Sequence, residues 1–307
     1  MTRLSRREIL AAAGTLPFLS ASALAQAPSA LHKRAIPVSG EMLPVIGIGT
    51  AVIFEFTDDP VQYAERKAVL RTLVAGGGSL VDTAPAYGNA EGHIGRLTAE
   101  LGIRDKLFLA TKYGGRGGFD RAAAQASLKN SQARLTTRKI DLMQAWNVAD
   151  PNFDLGLLRE WKAAGVIRYT GITSSMDAAY DALAPVLRRE KPDFFQINYS
   201  IGDREAEETL LPLAKDSGAA VLTNLPFGRK SVFQKVAGKP LPEWAGEIDC
   251  TSWAQIFLKF ILSHPAVTAV IPGTDKPDYM LDNLAAGRGR MPDAALRKRM
   301  ADHWASL

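Results

Sequence analysis

What most constrains this chain is a repeated alternation of a short apolar run with a longer amphipathic segment. Residues 45–50 read Val-Ile-Gly-Ile-Gly-Thr, and 61–75 carry apolar positions three and four apart before Gly76-Gly77-Gly78. That is a strand followed by a helix which glycine ends. The apolar runs recur at 79–84, 107–112, 140–146, 169–173, 194–199, 219–225 and 267–272, with helical stretches such as 153–165, 178–190 and 253–264 after them. Runs that lack polar alternation belong to strands covered on both faces, which means parallel pairing beneath helices. Eight such units predict closure into a (β/α)8 barrel, with an open doubly wound sheet as the alternative. Against the open sheet, Gly47-Ile48-Gly49-Thr50 lacks the third glycine of a Gly-x-Gly-x-x-Gly turn.

The segment before the repeats reads as an address. Arg6-Arg7 is followed by an apolar stretch over 9–24, broken by Gly14 and Pro17, and then by Ala25-Gln26-Ala27. This resembles a bacterial twin-arginine signal, a route for already folded proteins. The expected organisation is a cleavable signal peptide over 1–27 and one barrel domain over 28–307, with the twin-arginine export machinery as a partner and the periplasm as destination. The apolar stretch is too short and interrupted to span about 30 Å of hydrocarbon, so no stable membrane insertion is expected. A single cysteine, Cys250, forms no intrachain disulfide, and His32, His93, His264 and His303 have no metal-ligand spacing. They read as surface or helix-end histidines, and no metal is expected. The formal charge of +5 comes without a basic run interleaved with aromatics, so nucleic acid is not an expected partner.

In a barrel of this kind chemistry sits at the C-terminal ends of the strands. Those positions include Asp82, Lys112, Trp146, Ser174, Gln196, Asn224 and Gly273-Thr274. Tyr87 lies five residues beyond Asp82, so a carboxylate, a phenol and an amine would converge. A neighbouring ammonium lowers a phenol's pKa from about 10, and a carboxylate could hold that ammonium in place. Such a phenol can protonate a carbonyl oxygen. The plainer reading makes Asp82 a helix cap, Tyr87 a half-buried aromatic and Lys112 a solvated cation. The Gly- and Pro-rich segment 226–249 reads as a lid or as a surface insertion, and the glycine-rich loop 114–118 as an anion cradle or as a flexible loop.

Taken together, Val81-Asp82-Thr83-Ala84, Tyr87-Gly88, Glu91 and Gly95 resemble the signature of the aldo-keto reductase superfamily. Further matches are Ala110-Thr111-Lys112, Gly171-Ile172-Thr173-Ser174, Gln196-Ile197-Asn198-Tyr199 and Ile271-Pro272-Gly273-Thr274 with Asn283. They run in order from about residue 32 to the C-terminus. The resemblance implies a TIM barrel of the NADP(H)-dependent oxidoreductase type, with NAD(H) as an alternative cofactor. Its substrate would be a small carbonyl or alcohol. Tyr87 would be the general acid/base, tuned by Lys112, with Asp82 supporting Lys112. Ser174 and Gln196 match positions that bind the nicotinamide carboxamide. Gly273, Thr274, Asp282 and Asn283 match positions near the adenosine phosphate.

Three departures stand out. Trp146 occupies the place of the family's catalytic histidine, and an indole N–H donates a hydrogen bond but relays no proton. Asn224 stands where an aromatic ring stacks on the nicotinamide. No basic residue fills the positions of Gly273 and Tyr279, which leaves Lys276 as the expected partner of the 2′-phosphate. The leading expectation is an exported reductase with a remodelled pocket. The alternative is a non-catalytic nucleotide- or partner-binding barrel.

Overall fold

The computed structural model describes residues 29–57, 59–114 and 119–307. The expected signal segment over 1–27 and most of the loop at 114–118 therefore lie outside the described residues. Parallel strands β3 (Ile48–Gly49), β4 (Leu80–Asp82), β5 (Phe108–Gly114), β6 (Ile140–Trp146), β7 (Ile167–Thr173), β8 (Phe194–Asn198), β9 (Ala220–Asn224) and β10 (Val267–Val270) form one sheet in chain order. The sheet closes through a parallel bridge between Ile46 and Val270, with Gly47 N–H donating to the Val270 carbonyl at 2.9 Å. The result is the (β/α)8 barrel expected from the eight repeats.

The seam is tight because glycine lines it. A Cβ on Gly49 would sit 2.9 Å from the Ile271 carbonyl oxygen, closer than a side chain tolerates. Across the barrel, a Cβ on Gly171 would lie 2.9 Å from the Gln144 side chain, so the missing side chain on β7 leaves room for the amide on β6.

Helices cover the outside. Those between successive barrel strands are α1 (Pro60–Ala75), α2 (Ala90–Leu101), α3 (Arg121–Arg134), α4 (Gly156–Ala163), α5 (Tyr180–Glu190), α6 (Leu210–Asp216), α7 (Ser231–Lys235) and α8 (Trp253–Leu262). After β10 come α9 (Pro277–Ala286) and α10 (Ala294–Ser306). Local chemistry starts and stops them. The Asp59 carboxylate accepts from Val61 and Gln62 N–H before Pro60 opens α1, Ser252 and Asp293 cap α8 and α10, and Gly102 ends α2 at φ +62°. The glycine-rich stretch 226–249 packs down instead of standing clear, for Val232, Trp244 and Ile248 are buried in the core around the barrel.

One element is not anticipated by the repeats. An antiparallel hairpin, β1 (Lys33–Ala35) and β2 (Met42–Pro44), precedes the barrel and sends Ile36 and Leu43 into the same apolar cluster as Leu80, Phe108 and Phe194. It stoppers the N-terminal end of the barrel, so access is from the opposite end. Among the described residues no helix is long and apolar enough to cross a membrane, and no His/Cys/Asp/Glu group is placed to hold a metal ion.

Candidate active site

Alternate residues of a strand face the same way, and along five of the barrel strands the inward set changes character from bottom to top. Phe108 and Ala110 lead to Lys112, Leu80 leads to Asp82, Leu142 leads to Gln144 and Trp146, Phe194 leads to Gln196 and Asn198, and Leu222 leads to Asn224. The lower layers pack as apolar core, and the upper ones gather polar groups at the open end.

At the centre of that upper layer Lys112 Nζ donates to both oxygens of Asp82, at 2.8 and 2.7 Å, and to the Thr83 carbonyl at 2.8 Å. Both side chains are buried, and the three hydrogens of the ammonium each have an acceptor. Asp82 also receives Gln144 Nε2 at 3.3 Å and Gln196 Nε2 at 3.5 Å. Burial pulls the Lys112 pKa down, but the Asp82 carboxylate outweighs it and holds the ammonium above its ordinary value. Burial pushes the Asp82 carboxyl up, against the pull of Lys112 and the two amides.

Tyr87 reaches this pair from the turn between β4 and α2. Its N–H donates to the Ala84 carbonyl and its own carbonyl accepts from Ala90, which begins α2. Buried Glu91 pins that helix, accepting from Thr111 Oγ1 at 2.7 Å and from Arg134 at 3.2 Å. The Lys112 ammonium lies 5.4 Å from the Tyr87 ring centroid. The lowered phenol pKa expected from that neighbour is not what the site produces. Burial raises the Tyr87 pKa above 10.0, and Lys112 only opposes the rise. The phenol is therefore held in its protonated, proton-donating form.

Trp146 ends β6 and turns its ring edge-on to Tyr87, with centroids 5.9 Å apart at an interplanar angle of 81°. It stands at the position where the family's histidine was expected. Asn147 follows at φ +56°, and its side-chain oxygen accepts from the Ser175 N–H at 3.4 Å.

The positions matched to cofactor binding divide into two groups. Ser174, Gln196 and Asn224 share the rim of β7, β8 and β9. Ser174 Oγ is engaged with the backbone of Met176, and Gln196 Oε1 accepts from Gln144 Nε2 at 2.8 Å. Gly273, Thr274 and Lys276 lie in the turn from β10 into α9, with Thr274 buried and Gly273 and Lys276 exposed. Lys276 is the N-cap residue of α9 and gives it no side-chain cap. Asn283 is buried on α9. Asp282 is committed elsewhere, because its carboxylate accepts from Ser252 Oγ at 2.7 Å and Gln255 Nε2 at 2.6 Å and so fastens α8 to α9.

Several participants were not picked out from sequence. Gln144 falls on the inward face of β6, so a two-residue count from the apolar layers would have found it. Arg66 is harder to foresee. It is buried on α1 and donates to the Ile53 and Asp275 carbonyls, both at 2.8 Å, tying the loop after β3 to the loop after β10. His93 is also not the surface residue expected, since it is buried, stacked on Phe56 and bonded through Nδ1 to the Phe54 carbonyl at 2.8 Å.

The closed barrel thus gathers a phenol beside a buried carboxylate–ammonium pair at its strand ends. Residues 45–298 match the model of the aldo/keto reductase family, and the chain belongs to that family of oxidoreductases. The aldo-keto reductase YhdN of Bacillus subtilis is 33% identical over 60% of this chain and 57% of its own length. The NADH-specific methylglyoxal reductase of Escherichia coli is 27% identical over 73% of this chain and 83% of its own. The barrel superposes on an aldo-keto reductase of Klebsiella pneumoniae crystallised with NADPH, with a TM-score of 0.72 at 21% identity over 90% of this chain and 95% of that one.

Proposed function

We propose that the protein is an NADP(H)-dependent carbonyl reductase acting on small aldehydes or ketones. The observation that carries this reading is the Lys112 ammonium clasped by both oxygens of Asp82 directly beside Tyr87.

The residues present suit a nicotinamide dinucleotide. The first turn of α9 has no side-chain cap, so its N–H groups and helix dipole favour an anion, and exposed Lys276 stands beside it. The rim carries the buried amide oxygen of Asn224, which has no partner. Gly273, Thr274, Lys276 and Asn283 would hold the phosphate end, with Asp282 acting through α8 and α9. Ser174, Gln196 and Asn224 would hold the nicotinamide. When bound, that group supplies the hydride in reduction and takes it up in oxidation.

Everything else falls to the chain. Tyr87 gives its phenolic proton to the carbonyl oxygen as the carbonyl carbon gains hydride, so that an alcohol results, and Lys112 stabilises the phenolate left behind. Asp82 keeps Lys112 charged and oriented. The Trp146 indole N–H, a donor beside Tyr87, would offer a second hydrogen bond to the same oxygen. The reading as a non-catalytic barrel rests on Trp146 and Asn224, and the assembled Asp82–Lys112–Tyr87 group argues against it.

Relatives named as methylglyoxal reductases make methylglyoxal the first substrate to offer, with NADPH and NADH compared. Export by the twin-arginine route to the periplasm belongs to the same proposal, supported by Arg6-Arg7 and the apolar stretch after them. It gives a reason to carry a nucleotide bound before transport. The test is to purify the chain after export, denature it and assay the supernatant for nucleotide. About one nucleotide per chain, with consumption of methylglyoxal, is the expected result. No nucleotide and no reduction by either NADPH or NADH would overturn the reading.

A further inference from the structure

At the rim between β7 and β9 three polar side chains form a one-way chain. Asn198 Nδ2 donates to the Ser175 carbonyl at 3.2 Å and to Asp177 Oδ1 at 3.0 Å. Both partners are acceptors, so the Asn198 amide has one permissible orientation: turned over, its oxygen would face two other oxygens. Its Oδ1 must therefore point at Asn224, and it accepts Asn224 Nδ2 at 2.9 Å. That fixes the second amide in turn. Asn224 Oδ1 faces away from Asn198, buried and without a partner.

A buried amide oxygen without a donor is uncommon and unfavourable. The flanking rim positions make its purpose specific. Gln196 Oε1 is already filled by Gln144, and Ser174 Oγ is folded back on Met176. Of these three rim side chains, Asn224 alone offers a carbonyl oxygen that nothing occupies, and the polarity of the chain behind it keeps that oxygen in place.

We infer that Asn224 is a positioning residue whose Oδ1 accepts a hydrogen bond from the carboxamide –NH2 of the nicotinamide. The replacement of an aromatic ring by asparagine at this position thus exchanges a stacking surface for a directional acceptor. Asn198, Ser175 and Asp177 set its direction without touching the cofactor. The inference rests on the nicotinamide reading above.

The test compares two nucleotides that differ at the group in question. NADP+ carries the carboxamide, and its 3-acetylpyridine analogue keeps the carbonyl but has a methyl group where the –NH2 stood. Dissociation constants are measured by calorimetry for the wild-type chain, Asn224→Ala and Asn198→Ala, each checked for its fold by circular dichroism. The wild type is expected to bind NADP+ about tenfold tighter than the analogue. Asn224→Ala should lose that preference, and Asn198→Ala, in which Asn224 can turn over, should lose part of it. If Asn224→Ala fails to fold, the Asn198→Ala comparison decides. A wild type without preference, or variants that retain it in full, would overturn the inference while leaving the reductase reading intact. Failure of the wild type to bind either nucleotide would overturn both.

Discussion

The Trp146 ring meets Tyr87 edge-on at 5.9 Å, so the residue expected in place of a proton-relaying histidine packs against the phenol proposed as proton donor. The indole restricts the phenol from one side while Lys112 approaches from another.

Trp146 can be dissected by two substitutions. Trp146→Phe keeps a ring beside Tyr87 and removes the N–H, and kcat/KM for methylglyoxal should fall about tenfold, the size of one neutral hydrogen bond. Trp146→His should raise kcat and introduce a new pH dependence near about 6.5, where imidazole titrates. Steady-state rates across pH read both, and an unchanged Trp146→Phe enzyme would remove the indole from the chemistry.

Tyr87 carries the strongest demand. Tyr87→Phe should lower carbonyl reduction by about 10²- to 10⁴-fold, the range for one acid–base group, with nucleotide affinity retained by titration. The pH profile follows from the raised phenol pKa. Reduction needs the protonated phenol, which a pKa above 10.0 preserves, so no alkaline fall from Tyr87 is expected below that value. Alcohol oxidation needs the phenolate and should climb with pH throughout the same range.

The buried pair makes an asymmetric stability prediction. Lys112→Met leaves the Asp82 carboxylate buried without its cation and should cost about 3–5 kcal/mol in urea denaturation. Lys112→Met with Asp82→Leu removes both charges and should recover much of that loss. A double variant no more stable than the single one would contradict the assignment of the cost to the unpaired charge.

Acid sensitivity should centre on His264. Burial lowers its pKa to about 4 from 6.5, and its Nδ1 accepts the Ala266 N–H at 3.2 Å. The unfolded chain takes up the proton at 6.5 and the folded chain only near 4, so stability falls as pH drops between those values. His264→Asn keeps an acceptor that does not titrate. Its urea midpoint should change less across that window than the wild type's.

Much of the barrel was legible because its strands are covered on both faces and its helices are not. The 140–146 run became β6 without adjustment, and the 253–264 helix became α8 over Trp253–Leu262. The hairpin β1–β2 was missed because a three-residue strand carries no measurable periodicity. In the site, Asp82, Tyr87 and Lys112 could be named from strand ends, since backbone position alone brings them together. The direction of the Tyr87 pKa shift could not, for it depends on how deeply the folded chain buries the phenol. Asp282 shows the converse limit. Its place on α9 matched a binding position, but only the three-dimensional packing reveals that Ser252 and Gln255 claim its carboxylate.

The pairing of Ile46 with Val270 joins nearly the first barrel residue synthesised to nearly the last. While the ribosome is still making the chain the cylinder has an open side, and the upper ring of polar groups has no completed wall to hold it. Closure is thus a late, whole-chain event governed by slow, non-local contact. A machine that pulled the polypeptide out from its N-terminal end would peel away the β1–β2 hairpin and then reach this join, which holds the cylinder closed.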